Sequence, residues 1–353
     1  MISDKYRLDT HKLDLHPARV ADWRNGLDVY PIYLELSPSG ACQHRCLFCS
    51  FDFMKYQNRF LDTRMLKERI SEFAELGVKS IQFAGEGEPL LHPDIAEIIR
   101  HTSNAGIDVG ISTNGVLLSE RMNLQILPHC TWIKVSFNAG TPETYALVNG
   151  TSSDDFEEVI NNLISLVNIR KQKKFSCTLG IQMVVLPENE NEISGLAMIA
   201  KNTGLDYIVF KPYSHNPHTK SNRYKNLKLA PNWNDVRSLQ SDSFKIDIRE
   251  QTFDKVNEVK RPFKQCLALP FWGYIDAGGG VWGCYRHLND DRFCYGNICQ
   301  NTFEEIWNGK KRKKSLKMME KFDILGCGIN CRMDSINRYL WRLRYPERHD
   351  NFI

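Results

Sequence analysis

The stretch SPSGACQHRCLFCSFD, residues 37–52, places Cys42, Cys46 and Cys49 at the spacing C-x3-C-x2-C, directly after the strand-like run Tyr33–Leu36. Thiolates at this spacing can hold three irons of a 4Fe-4S cluster. Such clusters are normally bound by four cysteines, so a three-cysteine loop leaves the last iron to a substrate or cofactor. Three other readings use the same residues: a zinc knuckle with His44 as its fourth ligand, a disulfide with one thiol left over, or buried structural cysteines.

Composition narrows the choice. With 353 residues, 42% hydrophobic and 25% charged, the chain reads as globular, with room for one large domain and a smaller one. No apolar run approaches a membrane span and residues 1–20 lack a signal-peptide core, so a cytoplasmic location and no membrane partner are expected. In a reducing compartment the 11 cysteines read as metal ligands rather than disulfides. A net charge of +4 is too small to argue for nucleic acid. The basic run GKKRKKSLKMMEKF at 309–322 reads as a solvated helix face, with an anionic partner as the alternative.

From residue 30 the chain alternates β-rich runs with amphipathic segments. Strands are expected at Tyr33–Leu36, Ser80–Phe83, Asp108–Ser112, Trp132–Phe137, Cys177–Val185 and Tyr207–Lys211. Segments such as RMLKERISEFAELG and DFEEVINNLISLVNIRKQ between them have the helical period, and Gly77, Gly106 and Gly204 stand where helices should stop. Repeated strand–helix units imply parallel strands with right-handed crossovers, an α/β partial (β/α)6 TIM-like barrel with a smaller C-terminal domain. The expected division is an N-terminal extension (1–29), the barrel core (30–215), a linker read as a long loop with one short helix (216–254), a cysteine-bearing domain (255–335), and a C-terminal helix and tail (336–353).

Ligands of such folds sit at the carboxyl ends of the strands. There the chain carries FAGEGEPLL (83–91), in which Gly85 and Gly87 permit close backbone approach, Glu88 brings a carboxylate and Pro89 fixes the turn. Ser112 and Asn114 follow the third strand, Ser136 and Asn138 the fourth, Leu186 the fifth, and Tyr213, His215 and His218 the sixth. Asn138 and Thr141 also fit a simple turn-capping role. Cys130 and Cys177 fall at strand positions and read as buried and inert.

Together these motifs resemble the radical SAM superfamily. The resemblance implies a cluster on Cys42, Cys46 and Cys49 whose open iron is chelated by S-adenosylmethionine. It also implies that Phe48 covers the cluster and adenine side, and that Gly87 and Glu88 receive the methionine amino group. Ser112, Asn114, Ser136 and Asn138 would meet ribose and carboxylate, with Leu186 as an adenine shelf. A basic residue found in some relatives beyond the serine is replaced here by Val148, which leaves the carboxylate clamp incomplete.

Farther on, CLALPFWGYIDAGGGVWGCY sets Cys266, Gly279 and Cys284 at C-x12-G-x4-C, and Cys327 and Cys331 follow at C-x3-C. The AGGG run reads as a hairpin turn that brings the first two thiols together. The pattern resembles the shorter, single-cluster form of the SPASM and twitch domains, which implies a second, auxiliary 4Fe-4S cluster on these four cysteines. Cys294 and Cys299 remain alternative ligands, and a structural zinc would use the same four thiols.

The combined resemblance implies reductive cleavage of S-adenosylmethionine and hydrogen abstraction by a 5′-deoxyadenosyl radical. The expected substrate is small and polar, a sugar, aminocyclitol or nucleotide-like molecule, oxidised through the auxiliary cluster. An external electron donor such as flavodoxin or ferredoxin is implied. The alternatives are an epimerase with Cys294 or Cys299 as hydrogen donor, a peptide-modifying enzyme, and a non-catalytic iron–sulfur or zinc protein.

Overall fold

The computed structural model describes residues 6, 7, 10–255, 261–328 and 331–352. Parts of the expected N-terminal extension, of the cysteine-bearing domain (256–260, 329 and 330) and of the tail (353) lie outside the described residues.

One sheet organises the molecule. Its first six strands are β1 (Tyr33–Leu36), β2 (Ser80–Phe83), β3 (Asp108–Thr113), β4 (Trp132–Ser136), β5 (Thr178–Val185) and β6 (Tyr207–Pro212), parallel neighbours in chain order. All lie within one residue of their expected bounds. Strands covered on both faces read as continuous apolar runs, and β5 and β6 are buried along nearly their whole length.

The sheet then extends at both ends beyond the expected barrel. β7 (Lys245–Ile248), inside the segment expected to be a linker, pairs in parallel with β6. That segment also carries helices at Asn234–Ser238 and Glu250–Lys255. On the other side β8 (Trp272–Ile275) pairs in parallel with β1, and β9 (Gly280–Trp282) and β10 (Cys294–Asn297) follow antiparallel. The cysteine-bearing domain is therefore hydrogen-bonded into the barrel sheet, which covers the otherwise open edge of β1.

Helices coat the outer face. In Thr63–Glu75, Asp62 caps the start by accepting from the Met65 amide at 2.8 Å, and Leu66, Ile70 and Phe73 at helical spacing are fully buried. Gly77, Gly106 and Gly204 all have positive φ after their helices, as expected of helix stops. The N-terminal helix Pro17–Arg24 packs with the C-terminal helix Asp334–Arg344 through Leu13, Val20, Phe271 and Leu340. The basic run forms the helix Lys310–Met319: Lys311, Lys313 and Lys314 face solvent, while Arg312 is buried on the ring of Trp307. Among the described residues no helix is long and apolar enough to cross a membrane.

Candidate active site

The Cys42–Cys49 loop is held both by the barrel and by bonds of its own, among them Cys49 N to the Cys46 carbonyl at 3.1 Å. Arg45 N and Leu47 N donate to the carbonyls of Asn149 (3.0 Å) and Val148 (2.9 Å), and the Arg45 guanidinium reaches back to the carbonyl of Cys42. Val148 thus supports the loop with its backbone while its side chain is fully buried. His44 is buried, with Nε2 3.2 Å from Asp155. Burial holds all three thiols above their usual range: Cys42 is pushed up to about 12 by burial and then by Glu88, and Cys46 by burial and then by Cys49 and Cys42.

The Gly-Glu-Gly-Glu turn packs under this loop. A Cβ on Gly87 would lie 2.3 Å from the carbonyl oxygen of Ser39 and 2.4 Å from that of Ala41, so glycine is needed there for chain crossing. Glu88 is buried and firmly held: Oε1 accepts from Thr113 Oγ1 (2.6 Å) and Leu90 N (3.1 Å), and Oε2 accepts from Asn114 N (2.8 Å). Burial raises its carboxyl to about 7 despite these bonds. Asn114 Oδ1 accepts from Gln43 of the cysteine loop at 3.1 Å, whereas its buried Nδ2 has no partner among the described residues. Glu86 binds Arg59 at 2.9 Å and accepts from Ala277 N at 3.1 Å, tying the turn to the β8–β9 hairpin.

These groups open onto one cavity of about 370 Å³ at the carboxyl ends of the strands. Of the residues singled out from sequence, Cys42, Cys46, Phe48, Cys49, Gly87, Glu88, Ser112, Asn114 and Ser136 line it, as does Tyr213. Asn138 and Leu186 do not. Asn138, at φ +68, spends its amide on Ser136 Oγ, Asn149 Oδ1 and Val184 N, which makes it a scaffold for the neighbouring strand ends. Leu186 is fully buried in an apolar cluster with Val148, Val184 and Tyr224, against which Phe48 packs; Val184 and Pro212 take the place in the lining expected of Leu186. His215 and His218 are absent from the lining, and His218 lies 6.4 Å from His287 of the second domain.

The C-terminal thiols come from three segments, with Cys327 and Cys331 four residues apart on one of them. Cys266, Cys284 and Cys327 are each raised by burial first and then by Cys331. Cys266, Cys284 and Cys331, and also Cys294, pack against an apolar cluster of Leu269, Trp272, Phe293 and Met333, and Asn337 Nδ2 donates to Cys266 Sγ at 3.4 Å. Cys331 also lines the barrel cavity, so the second group touches the chamber that holds the first. Cys294 lines a different cavity, with Arg59, Asp276 and Lys311, and the exposed Cys299 lies beside Gly278. The charges acting on these two thiols are Asp276, Lys311 and other side chains, not the grouped cysteines. Cys130 and Cys177 are buried, as expected.

Sequence reading missed the charged lining: Glu35, Lys134, Lys211, Arg249, Lys255 and Arg332. The available signal was a charge in the middle or at the end of an otherwise apolar strand, as in YLEL, WIKVS and YIVFKP.

Comparison with known proteins agrees with this geometry. Residues 36–198 match the Radical SAM superfamily, and residues 266–332 match SPASM, an iron-sulfur cluster-binding domain. A probable GTP 3',8-cyclase of Methanothermobacter thermautotrophicus is 33% identical over 137 residues, which are 38% of this chain and 44% of that protein, so the match spans under half the relative's length. A protein of Pyrococcus furiosus named as a tungsten-containing aldehyde ferredoxin oxidoreductase cofactor-modifying protein is 22% identical, with 79% of this chain and 81% of that one covered. The crystal structure of Streptococcus suis SuiB bound to S-adenosylmethionine superposes with a TM-score of 0.61 at 16% identity over 84% of this chain and 70% of that chain, a likeness of fold. The chain therefore carries a Radical SAM superfamily domain followed by a C-terminal SPASM domain, and these imply 4Fe-4S clusters and S-adenosylmethionine as cofactors.

Proposed function

We propose that Cys42, Cys46 and Cys49 hold the cluster that binds S-adenosylmethionine, that Cys266, Cys284, Cys327 and Cys331 hold an auxiliary cluster, and that the enzyme oxidises a small polar substrate. The observation that carries this reading is the single cavity lined by all three thiols of the first group and by Cys331 of the second. S-adenosylmethionine and the clusters, held by these residues, would supply hydrogen-atom abstraction from a C–H bond and an acceptor for the electron left behind, the accompanying proton passing to solvent.

The chain's own residues position and exclude. Glu88 Oε2, which takes one bond from within the protein, is assigned the amino group of S-adenosylmethionine, and Asn114 Nδ2 and Ser136 Oγ are assigned its remaining polar groups. Phe48, Val184 and Pro212 form the apolar wall that keeps water from the reacting carbon. Asn138 and Leu186 act from behind, by fixing Ser136 and Val184.

Oxidation is preferred to epimerisation because Cys294 and Cys299, the expected hydrogen donors, do not line this cavity. The cyclase relative favours a second reading, a nucleotide substrate rearranged without net oxidation. A flavodoxin- or ferredoxin-like donor is assigned the supply of electrons. Anaerobic incubation with S-adenosylmethionine and dithionite is expected to yield 5′-deoxyadenosine; none would sink the radical reading. With substrate present, a product two hydrogens lighter supports oxidation, and one of unchanged mass supports rearrangement.

A further inference from the structure

The barrel cavity is lined by the carboxylates Glu35, Glu86 and Glu88 and by a larger set of cations. Lys134 of β4, Lys211 of β6, Arg249 just beyond β7 and Arg332 of the second domain line the same cavity. The carboxylates that act on Lys134 are Glu35 and Asp247, and Glu35 is already bonded to Arg332. Among the described residues neither Lys134 nor Lys211 makes an ion pair; the Lys134 ammonium lies 5.6 Å from the ring centre of Trp132. Confined charges of one sign are costly unless something neutralises them.

We propose that Lys134, Lys211, Arg249 and Arg332 form an oxyanion subsite that receives a phosphoryl or carboxylate group of the substrate. The proposal rests on reading the cavity as the substrate chamber. Three observations favour it over a structural role. The cations come from strands far apart in sequence and from the second domain, yet converge on one wall. Their crowding is unfavourable: burial, then Arg249 and Arg332, lowers Lys134 to about 7, and burial, then Lys134 and the same arginines, lowers Lys211 well below its usual value. Two guanidiniums beside two ammoniums also match the forked and point-charge donors that phosphate and carboxylate take. The subsite would orient the substrate by a group remote from the reacting carbon. The competing occupant is the carboxylate of S-adenosylmethionine itself, since Val148 stands where some relatives carry a base.

The test uses the holoprotein with both clusters and saturating S-adenosylmethionine, titrated calorimetrically with inorganic pyrophosphate in one arm and malonate in the other. One anion is expected to bind saturably, and the arm that binds identifies the substrate's group. Lys134→Met and Lys211→Met are each expected to weaken that binding by about tenfold or more, with the dissociation constant of S-adenosylmethionine changed by less than about twofold. Lys211→Arg, which keeps the charge, should retain binding, so a folding failure of the Met variant does not remove the test. Binding by neither anion, or binding that survives both Met substitutions, overturns the subsite. An equal loss of S-adenosylmethionine affinity also overturns it and gives the cations to the cofactor. If the wild-type protein binds anion in a lysine-dependent way but makes no 5′-deoxyadenosine, the radical reading fails while the subsite stands.

Discussion

The two thiol groups are built in opposite ways. Cys42, Cys46 and Cys49 share one short loop held by backbone bonds to Val148 and Asn149, and all three open onto the barrel cavity. Cys266, Cys284, Cys327 and Cys331 come from three segments, Cys266, Cys284 and Cys331 pack beside Trp272 and Phe293, and of the four only Cys331 reaches that cavity. The first group shares its cavity with Glu88, Asn114 and Ser136. The thiols of the second group are partly buried, like those of the first, but are brought together across three segments. A local motif thus suffices for the first group, and tertiary packing is needed for the second.

Removing the first group should break this contrast most severely. Replacing Cys42, Cys46 and Cys49 together with Ala is expected to remove about four of about eight irons and all 5′-deoxyadenosine formation, with the other cluster's spectrum intact. Loss of both clusters, measured by iron content and electron paramagnetic resonance, would show that the two sites are not independent.

Glu88→Gln comes next. It should weaken S-adenosylmethionine binding about ten- to a hundredfold, the worth of a charge-assisted hydrogen bond of roughly 1.5–3 kcal/mol. Gln also turns an NH2 toward a donor now bonded to the carboxylate, Thr113, Leu90 N or Asn114 N, so the melting temperature should fall as well. Unchanged affinity in an equilibrium titration, with a lowered melting temperature, would leave Glu88 only its role in shaping the loop.

A smaller effect separates the barrel interior from both thiol sites. Lys134 is lowered from 10.5 to about 7, so between those values the unfolded chain binds a proton that the folded chain does not. Stability from this group therefore rises with pH across that window, and below it the full cost of the buried charge is present. Lys134→Met should stabilise the protein by on the order of 1 kcal/mol below pH 7, a gain of a few degrees in melting temperature. The gain should shrink as pH rises toward 10; thermal melts across that range that show a pH-independent or negative effect would contradict it.

The smallest change is expected at Cys299, exposed and apart from the grouped thiols. Cys299→Ala should leave iron content unchanged and stability within about 0.5 kcal/mol. One solvent-derived deuterium in a product of otherwise unchanged composition, lost in Cys299→Ala or Cys294→Ala, would reverse the preference for oxidation.

The sequence alone determined the barrel strands, the helix stops at Gly77, Gly106 and Gly204, the open cysteine loop, and most of its rim. All of these rest on local rules: period, turn chemistry, and the habit of parallel α/β sheets of placing ligands at strand ends. Only the tertiary structure decided that the presumed linker gives strand β7 and Arg249, and that β8 joins the barrel sheet. It also sent Asn138 and Leu186 behind the cavity wall, because in a strand-end turn one residue's shift selects which side chain faces the ligand. The charged interior was illegible for the same reason. Lys134, Lys211, Arg249 and Arg332 are distant in the chain, and only the pairing of β4 to β7 in one sheet and docking of the second domain set their charges against one another.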